Sequence, residues 1–257
     1  MRILHELKTR ERGVFLTLTL DDKHLAEHDY DIAKPVLQKF TKRVRYRFGE
    51  LAYYGVGEYG DTRGRPHYHM CVLGQDFKED RKFWRRTKKG HVLMRSEELE
   101  KCWKFGHVEI GELNFDTAAY TARYVMKKVK GKKAPSYYEY RDVRGRLVKE
   151  FTPEFALMSS RIECEGSTPG GLGKRFFLRY WPELVRLDSC MIEGKLCPLP
   201  RYYDKLLERL DSERFERLKE ERVKRAEVHA ENNTRPRLRT RARVLELRER
   251  DFLKREY

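Results

Sequence analysis

Two histidines separated by one residue are the side chains in this sequence best suited to hold a metal ion together. His67 and His69 lie in the segment 67–73, whose composition predicts a β-strand. Side chains two positions apart on a strand point to the same face of a sheet, so the two imidazoles would lie a few ångströms apart. Taken alone, such a pair is also compatible with two structural or surface histidines.

A carboxylate on the preceding segment supplies a third candidate ligand. Glu58 lies in residues 51–59, an aromatic and β-branched stretch that predicts a strand, and the turn-forming residues 60–66 separate it from His67. A hairpin around that turn would bring Glu58 across from the histidine pair. Two imidazoles and one carboxylate leave positions open for water or a phosphate oxygen, which favours catalytic Mg²⁺ or Mn²⁺ over a closed zinc site. The alternative is a solvent-facing glutamate.

Two tyrosines further along the chain could act as nucleophiles. Tyr120 and Tyr124 are four residues apart and share one face of a predicted helix, which Lys127 and Lys128 continue. A tyrosine oxygen can attack a phosphodiester and form a phosphotyrosine, assisted by a metal ion and by nearby lysines that stabilise negative charge. A second tyrosine one turn away would permit a second transesterification. The alternative is an amphipathic helix that uses tyrosine for packing.

The elements that must position these residues alternate between strands and helices. Residues 14–20 alternate apolar side chains with threonine and predict a strand, and residues 33–48 predict a basic amphipathic helix. Residues 78–90 are expected to form a basic loop. Asp116 is the expected N-cap of a helix over residues 117–129 that carries the tyrosines. This order predicts an α+β fold with an antiparallel sheet and flanking helices.

The end of the sequence differs in character from the rest. From about residue 200 the chain is highly charged and predicts helix, so we expect a domain over residues 1–204 and a charged helical C-terminal extension over residues 205–257. One interpretation of the extension is a solvated helix stabilised by pairs of opposite charge four residues apart. An arginine-rich stretch within it is expected to contact the DNA backbone.

The overall composition favours a polyanionic partner. The 257 residues include 57 Lys and Arg against 41 Asp and Glu, which gives a formal net charge of +16. Lysine and arginine neutralise phosphates and release counterions, so nucleic acid is the expected partner. An anionic membrane surface is the alternative, but the sequence lacks a basic amphipathic helix with a strong apolar face.

Hydropathy and cysteine spacing disfavour other classes of protein. A run of about 18 apolar residues would be needed to span a membrane, and none is present, so no membrane partner is expected. The first residues also lack the apolar core of a signal peptide. The five cysteines are scattered and never form a Cys-x-x-Cys pair, which argues for a reducing cytosol and against a disulfide framework or structural zinc site. We expect most of them to be small buried residues.

Several segments, in this order, resemble the motifs of the HUH superfamily of rolling-circle replication initiators, and most closely the initiators of microviruses of the gokushovirus type. The resembling segments are the first motif at 15–25, the metal-binding motif at 57–60 and 64–69, the two-tyrosine motif at 119–128, and 200–204 near the end of the nuclease region. The resemblance covers about residues 14–204. Relatives usually begin with a cysteine-containing segment upstream of the first motif, whereas about a dozen residues precede it here, so a shorter variant, a truncated coding sequence or a misassigned start is expected.

The resemblance implies a fold and a set of site residues. The fold is a palm-like antiparallel sheet of the HUH or RRM type, with the histidine pair on its central strands, and residues 1–204 would be an HUH-type nuclease domain. The implied metal ligands are Glu58, His67 and His69, for Mg²⁺ or Mn²⁺, and the implied nucleophiles are Tyr120 and Tyr124. Lys127 and Lys128 would be supporting cations. The residues expected to contact DNA are Arg63, Arg65, Arg123, Arg235, Arg237 and Arg239.

The activity implied is the nicking of a single-stranded origin in circular phage DNA. Such a nick leaves a 5′-phosphotyrosine and a free 3′-OH primer, and the displaced strand is later rejoined into a circle. The expected partners are the single-stranded origin DNA and the host replication helicase and polymerase, in the cytoplasm of the bacterial host.

Two other functions remain open on the sequence. One is a non-catalytic origin-binding protein from a decayed prophage, which has no need of the full set of ligands and tyrosines. The other is a plasmid relaxase, although relaxases more often use three histidines and a tyrosine near the N-terminus, whereas here the tyrosines follow the histidines.

Overall fold

The computed structural model describes residues 1–60, 64–124 and 128–253, with side chains through residue 248. The chain divides into two compact units, one of residues 2–175 and one of residues 176–257 with Met1. All of the candidate metal ligands and tyrosines belong to the first unit. The domain boundary expected after residue 204 stays a prediction.

The first unit holds most of the regular structure. Its helices and strands are, in chain order, α1 (Arg2–Arg10), β1 (Gly13–Leu20), α2 (Asp22–Glu27), α3 (Lys34–Phe48), β2 (Ala52–Tyr59), β3 (Pro66–Leu73), β4 (Lys82–Arg86), β5 (Val92–Arg95), α4 (Glu97–Trp103), β6 (Gly106–Glu112), α5 (Phe115–Arg123), α6 (Ala134–Tyr138), β7 (Glu139–Arg141), β8 (Leu147–Glu150), β9 (Phe155–Met158), β10 (Ile162–Cys164) and β11 (Ser167–Gly170). A 3₁₀ turn at Gly131–Lys133 precedes α6.

A seven-stranded sheet forms within these described residues, in the order β4-β5-β6-β1-β3-β2-β9. Its neighbouring strands pair antiparallel. The predicted α+β fold with an antiparallel sheet and flanking helices is therefore confirmed. β3, which carries the His-x-His segment, is an interior strand between β1 and β2.

One face of the sheet packs against α3 and α4 and forms the main core. Along β1 the leucines Leu16, Leu18 and Leu20 are fully buried, whereas the threonines between them point to the opposite face. Burying a leucine side chain contributes roughly 1.5–3 kcal/mol, so the alternation in β1 fixes which face turns inward. Helix α3 meets this face with an apolar stripe at Val36, Leu37, Phe40, Thr41 and Val44.

The opposite face of the sheet carries a smaller cluster and the candidate site. Helices α1 and α5 contribute Ile3 and Ala118 to this cluster, which includes Cys71 and Leu73 of β3. Because β3 alternates, its histidines lie on this second face while Tyr68 lies in the main core.

The expected loop at residues 78–90 is instead partly a strand. It contains β4, which pairs with β5 as a hairpin, because Phe83 and Trp84 favour extended backbone. Gly90, with φ of 83°, makes the turn, where its amide donates to the carbonyl of Thr87.

The second unit is largely helical. It contains most of α7 (Lys174–Leu187), then β12 (Ser189–Ile192), β13 (Lys195–Pro198), α8 (Arg201–Leu210), α9 (Ser212–Glu227) and α10 (Arg235–Leu253), with a 3₁₀ turn at Ala230–Asn233. Its helices are tied together by Arg222, which forms ion pairs with Asp188 at 2.6 Å and Asp204 at 2.9 Å. The predicted charged, helical C-terminal region is thus confirmed as helix. Among the described helices of both units, none is at once long enough and apolar enough to cross a bilayer.

Candidate active site

Strand register brings the three predicted metal ligands to one face of the sheet. Glu58 on β2 is the direct partner of His67 on β3, so the predicted hairpin is confirmed. Directly opposed residues of antiparallel strands share a face, and His69 is two positions along from His67. Thr17 on β1 is the direct partner of His69 from the other side. The two histidines therefore lie between a carboxylate on one strand and threonines on the other.

His69 is held by partners at both ring nitrogens. Its Nε2 lies 3.3 Å from Oε1 of Glu58, whose residue is only 1% exposed. Its Nδ1 lies 3.3 Å from the Thr17 hydroxyl, which can donate or accept and so suits either tautomer. A buried carboxylate is costly unless it meets a cation or hydrogen-bond donors, and His69 is such a donor. The arrangement fixes the orientation of the ring.

Helix α5 places the two tyrosines over this face. Its N-terminus is closed by Asn114, whose side chain accepts from the amide of Thr117 at 3.0 Å while the Thr117 hydroxyl accepts from the amide of Asn114 at 2.9 Å. The expected N-cap, Asp116, is wrong, because this reciprocal capping box begins the helix two residues earlier. Helix α5 ends at Arg123, and the predicted extension to residue 129 runs through residues outside the described chain.

Both tyrosine rings contact His69. Tyr124 stacks on it with centroids 5.1 Å apart and planes within 8°, and Tyr120 meets it edge-on at 5.5 Å. The two tyrosines also contact each other at 4.6 Å. Their exposure differs, since Tyr120 is 37% exposed and Tyr124 is 2% exposed. The predicted nucleophiles and two of the predicted ligands are thus brought into one cluster.

Two neighbours of His69 have no assigned role in the sequence prediction. Phe15 stacks on His69 at 5.5 Å and meets Tyr120 edge-on at 6.2 Å, and Thr17 bonds the ring as described. Both residues lie in the segment that resembles the first motif. Their shared parity on β1, opposite a His-x-His strand, is the sequence signal that could have assigned them to the site.

Tyr68, between the two histidines, is excluded as a nucleophile by its position. It is fully buried in the main core, where its hydroxyl accepts from the amide of Ala33 at 2.9 Å. Burial raises the pKa of Tyr68 to about 12.

Cys71 lies two positions beyond His69 on the same face, beneath α5. It is fully buried, and its Sγ donates to the hydroxyl of Thr121 at 3.5 Å. Burial raises the pKa of this thiol to about 12, so it is a packing residue rather than a reactive one. With the other cysteines described as buried or partly buried and free, the expectation for these residues is confirmed.

The donor types fit a hard divalent cation, but the three side chains are not gathered into one group. Glu58 and His69 are in contact, whereas His67 is half-buried at the next position of the same face. Within residues 1–60, 64–124 and 128–248, no three His, Cys, Asp or Glu side chains come close enough together to hold a metal ion. Two imidazoles and a carboxylate remain the donor chemistry that suits Mg²⁺ or Mn²⁺, and their assignment as ligands stays a prediction.

The predicted cations near the site have different positions. Lys128 is half-buried shortly after α5, and Arg123 is half-buried at the last position of that helix. Arg65 donates to the carbonyl of Leu20 at 2.6 Å and to Asp22 at 2.9 Å, so it ties β3 to the end of β1. Lys127 and Arg63 lie outside the described residues.

The remaining arginines predicted to contact DNA belong to the second unit. Arg235, Arg237 and Arg239 are exposed on α10. Their exposure suits contact with a phosphate backbone, and their role stays a prediction.

Comparison with known proteins gives relatives for most of the chain. It is 30% identical over 214 residues to replication-associated protein ORF4 of Chlamydia phage 1, a match that covers 81% of this chain and 49% of the relative. It is 29% identical over 224 residues to replication-associated protein ORF2 of Spiroplasma virus 4, covering 82% of this chain and 63% of the relative. Replication-associated protein VP4 of Bdellovibrio phage phiMH2K is 26% identical over 219 residues, covering 79% and 60%. The chain therefore spans about half to just under two thirds of the length of these relatives, and no solved structure matches it.

A family match covers the part of the chain that holds the candidate site. The replication-associated protein ORF2 family matches residues 13–129, from β1 to beyond α5. The resemblance to microvirus replication proteins that the motifs predict is confirmed, and residues 13–129 of this chain are a segment of the replication-associated protein ORF2 family.

Proposed function

We propose that this protein is a rolling-circle replication initiator that nicks and rejoins single-stranded phage DNA by tyrosine transesterification. The observation that carries the proposal is the packing of both tyrosine rings against His69, whose Nε2 contacts Glu58. The names of the relatives and the net charge of +16 support a role on phage DNA.

The reaction at the tyrosine conserves the number of phosphoester bonds. The phenol oxygen attacks the scissile phosphorus, the new Oη–P bond forms, and the bond from phosphorus to the 3′-oxygen breaks. The phenol loses its proton and the departing 3′-oxygen gains one, which leaves a 5′-phosphotyrosine and a free 3′-OH. Attack of a 3′-OH on the phosphotyrosine reverses these bonds and rejoins DNA without an external energy source.

A divalent cation held by Glu58, His67 and His69 would supply charge withdrawal from the phosphate. The protein's own side chains supply orientation. Thr17 fixes the His69 ring, and Phe15 packs against both this ring and Tyr120, so the nucleophile and the ligand are positioned by the same neighbours. We propose that Lys127 and Lys128 stabilise charge on the phosphate.

Exposure favours a division of labour between the tyrosines. DNA must reach the attacking oxygen, and Tyr120 is 37% exposed whereas Tyr124 is 2% exposed beneath it. We propose that Tyr120 attacks first and that Tyr124 acts in the second transesterification. The free 3′-OH then primes synthesis, with the host polymerase and helicase as proposed partners in the bacterial cytoplasm.

The experiment is to trap the covalent intermediate. The protein is incubated with labelled single-stranded origin DNA and Mn²⁺, denatured in SDS, and examined for a protein–DNA adduct whose tyrosine is identified by mass spectrometry. We expect the adduct with the native chain and its loss when Tyr120→Phe and Tyr124→Phe are combined. Tyr46→Phe, at an exposed tyrosine on α3, is the matched control and should leave the adduct unchanged.

Two results would contradict the proposal. An adduct that persists in the double variant would show that another residue is the nucleophile. Tight origin binding by the native chain with no nick and no adduct, at any divalent metal tried, would favour a non-catalytic origin-binding protein.

A further inference from the structure

The β4–β5 hairpin at one edge of the large sheet presents aromatic rings to solvent. All five residues of β4 are exposed, with Phe83 at 61% and Trp84 at 48%. Exposed sheet edges with large apolar side chains invite association, so folded proteins usually shorten, charge or cover them. Two neighbouring exposed rings on an edge strand therefore point to a partner.

The charge of the hairpin indicates what that partner is. Residues 81–95 contain seven Lys or Arg and no Asp or Glu. Some of this charge is matched by glutamates on neighbouring elements, in the pairs Lys82–Glu97 at 3.5 Å, Arg85–Glu109 at 2.9 Å and Arg95–Glu100 at 3.4 Å. Arg86 instead donates to the carbonyl of Gly90, which leaves its charge uncompensated in that bond. Aromatic rings interleaved with an excess of cations match the chemistry of single-stranded nucleic acid.

A bulge in β4 sets the position of Trp84. Phe83 is the partner of Met94 and Arg85 is the partner of Leu93, so Trp84 is the extra residue between two paired ones. The guanidinium carbon of Arg95 lies 4.1 Å from the Trp84 ring centroid, a cation–π contact that holds the ring while almost half of the residue stays exposed. The ring is thereby ordered in advance of any ligand.

The hairpin is connected to the candidate site through the sheet itself. Arg85 pairs with Glu109 on β6, whose partner on β1 is Thr17, whose partner on β3 is His69. This row crosses four strand spacings, which corresponds to about 20 Å. A DNA strand that starts at the tyrosines needs only a few nucleotides to reach the hairpin along the same sheet.

We propose that the β4–β5 hairpin is a docking surface for single-stranded DNA, in which Phe83 and Trp84 stack on unpaired bases and Arg86, Lys88 and Lys89 meet phosphates. This inference rests on the proposed function, because it names where the DNA strand of that reaction is held. Base faces are available for stacking in a single strand and are covered in a duplex, so the surface should distinguish the two.

The first test measures equilibrium binding of fluorescent oligothymidylate in EDTA, where nicking is not being measured. Removing one stacking ring should cost about 1–3 kcal/mol per base, so Phe83→Ala and Trp84→Ala should each weaken binding by roughly fivefold or more. Trp84→Phe keeps a ring and should retain most of the affinity. The matched control is Tyr30→Ala, which removes an exposed ring that lies between Asp29 and Asp31.

The second test separates phosphate contacts from stacking. Replacing Lys88 and Lys89 together by alanine should reduce the slope of log affinity against log salt by about 1.4, because each phosphate contact to a single strand contributes about 0.7. The aromatic variants should lower affinity at every salt concentration and leave this slope unchanged.

The outcomes distinguish this inference from the proposed function. Unchanged oligothymidylate affinity in the folded Phe83→Ala/Trp84→Ala variant, checked by circular dichroism, overturns the docking surface even if the native chain forms its adduct. An equal loss of affinity for duplex DNA overturns stacking on unpaired bases. If the hairpin variants lose binding but the native chain never forms an adduct, the docking surface stands and the nuclease proposal fails.

Discussion

At the scale of single residues, Tyr120 and Tyr124 differ although they touch the same imidazole. Tyr124 lies flat on His69 and is 2% exposed, while Tyr120 meets the ring by its edge and is 37% exposed. A phenol that must reach a phosphorus atom needs an open approach, so the environments suggest successive roles.

The order of attack can be separated with single variants. Tyr120→Phe should abolish the first covalent adduct, whereas Tyr124→Phe should preserve it and block the transfer of that strand to a second 3′-OH. The measurement is the yield of SDS-resistant adduct beside the yield of rejoined circles. Equal adduct yields from the two variants would show that the tyrosines are interchangeable.

Thr17 is a positioning residue through its contact with His69 Nδ1. Thr17→Val keeps the shape and removes the hydroxyl, so we expect a roughly 10-fold rise in the Mn²⁺ concentration needed for half-maximal nicking. Thr17→Ser should restore it. Thr9→Val removes a hydroxyl that bonds only the local carbonyl of Glu6 and serves as the control. A variant that loses stability but keeps the native metal dependence would exclude the positioning role.

His5 predicts an acid sensitivity of the fold. Burial, with nearby positive charges, lowers the pKa of His5 from its usual 6.5 to about 4. The folded state therefore resists protonation, and the free energy of unfolding should fall by about 3 kcal/mol as pH drops from 6.5 towards 4. Above pH 6.5 this contribution is complete.

The measurement is urea unfolding at several pH values. His5→Gln should remove this component of the pH dependence, and His91→Gln, at an exposed imidazole, should not. The same fall between pH 6.5 and 4 in the His5 variant would assign the acid sensitivity to other groups.

At the scale of elements, α5 depends on its cap to hold the tyrosines over the sheet. Its reciprocal Asn114–Thr117 bonds satisfy amides that would otherwise lose partners at the first turn. The cap therefore links a local sequence feature to the position of the nucleophiles.

The cap predicts different effects for two neighbouring residues. Asn114→Ala should lower the free energy of unfolding by about 1 kcal/mol and speed hydrogen exchange of the α5 amides. Asp116→Ala should cost less, because its carboxylate is exposed and acts only through the helix dipole. A larger loss from the Asp116 variant would assign the cap to that residue instead.

Local features of the sequence predicted the elements better than their packing. The β2–β3 hairpin was predictable because the turn at residues 60–66 and the period of two determine its register. Helix α3 was predictable from its apolar stripe, and begins one residue later than expected. Asp116 and Asn114 are both good capping types, and only the path of the chain out of β6 decides between them. β4 was missed because its basic residues hide the strand propensity of Phe83 and Trp84.

The composition of the site required tertiary information. The stacking of Tyr124 on His69 joins segments separated by more than fifty residues, and no periodicity specifies which face of α5 meets the sheet. The role of Thr17 depends on β1 lying next to β3 in the sheet order, since the alternation within β1 identifies only its buried face.

At the scale of the whole molecule, the net charge of +16 should make DNA binding strongly dependent on salt. The charge is carried by both units, including the exposed arginines of α10. Affinity for the polyanion therefore need not come from the candidate site alone.

Variants in α10 test its share of binding. Replacing Arg235, Arg237 and Arg239 by alanine should reduce the salt slope for single-stranded DNA by about 2. Replacing Arg217 and Lys219, which pair with Glu213 and Glu216 on α9, is the control and should change it little. An unchanged slope in the α10 variant would exclude these arginines from the DNA contact.

The buried thiol of Cys71 gives the protein a built-in timer for its own opening. Since it lies beneath Thr121 of α5 with its pKa raised to about 12, iodoacetamide should modify it only while that helix is lifted from the sheet. The rate of alkylation at this one position, followed by peptide mass spectrometry, would report how often the tyrosine-bearing helix departs. Origin DNA that wedges beneath the helix would quicken the timer, and DNA that clamps the helix down would slow it.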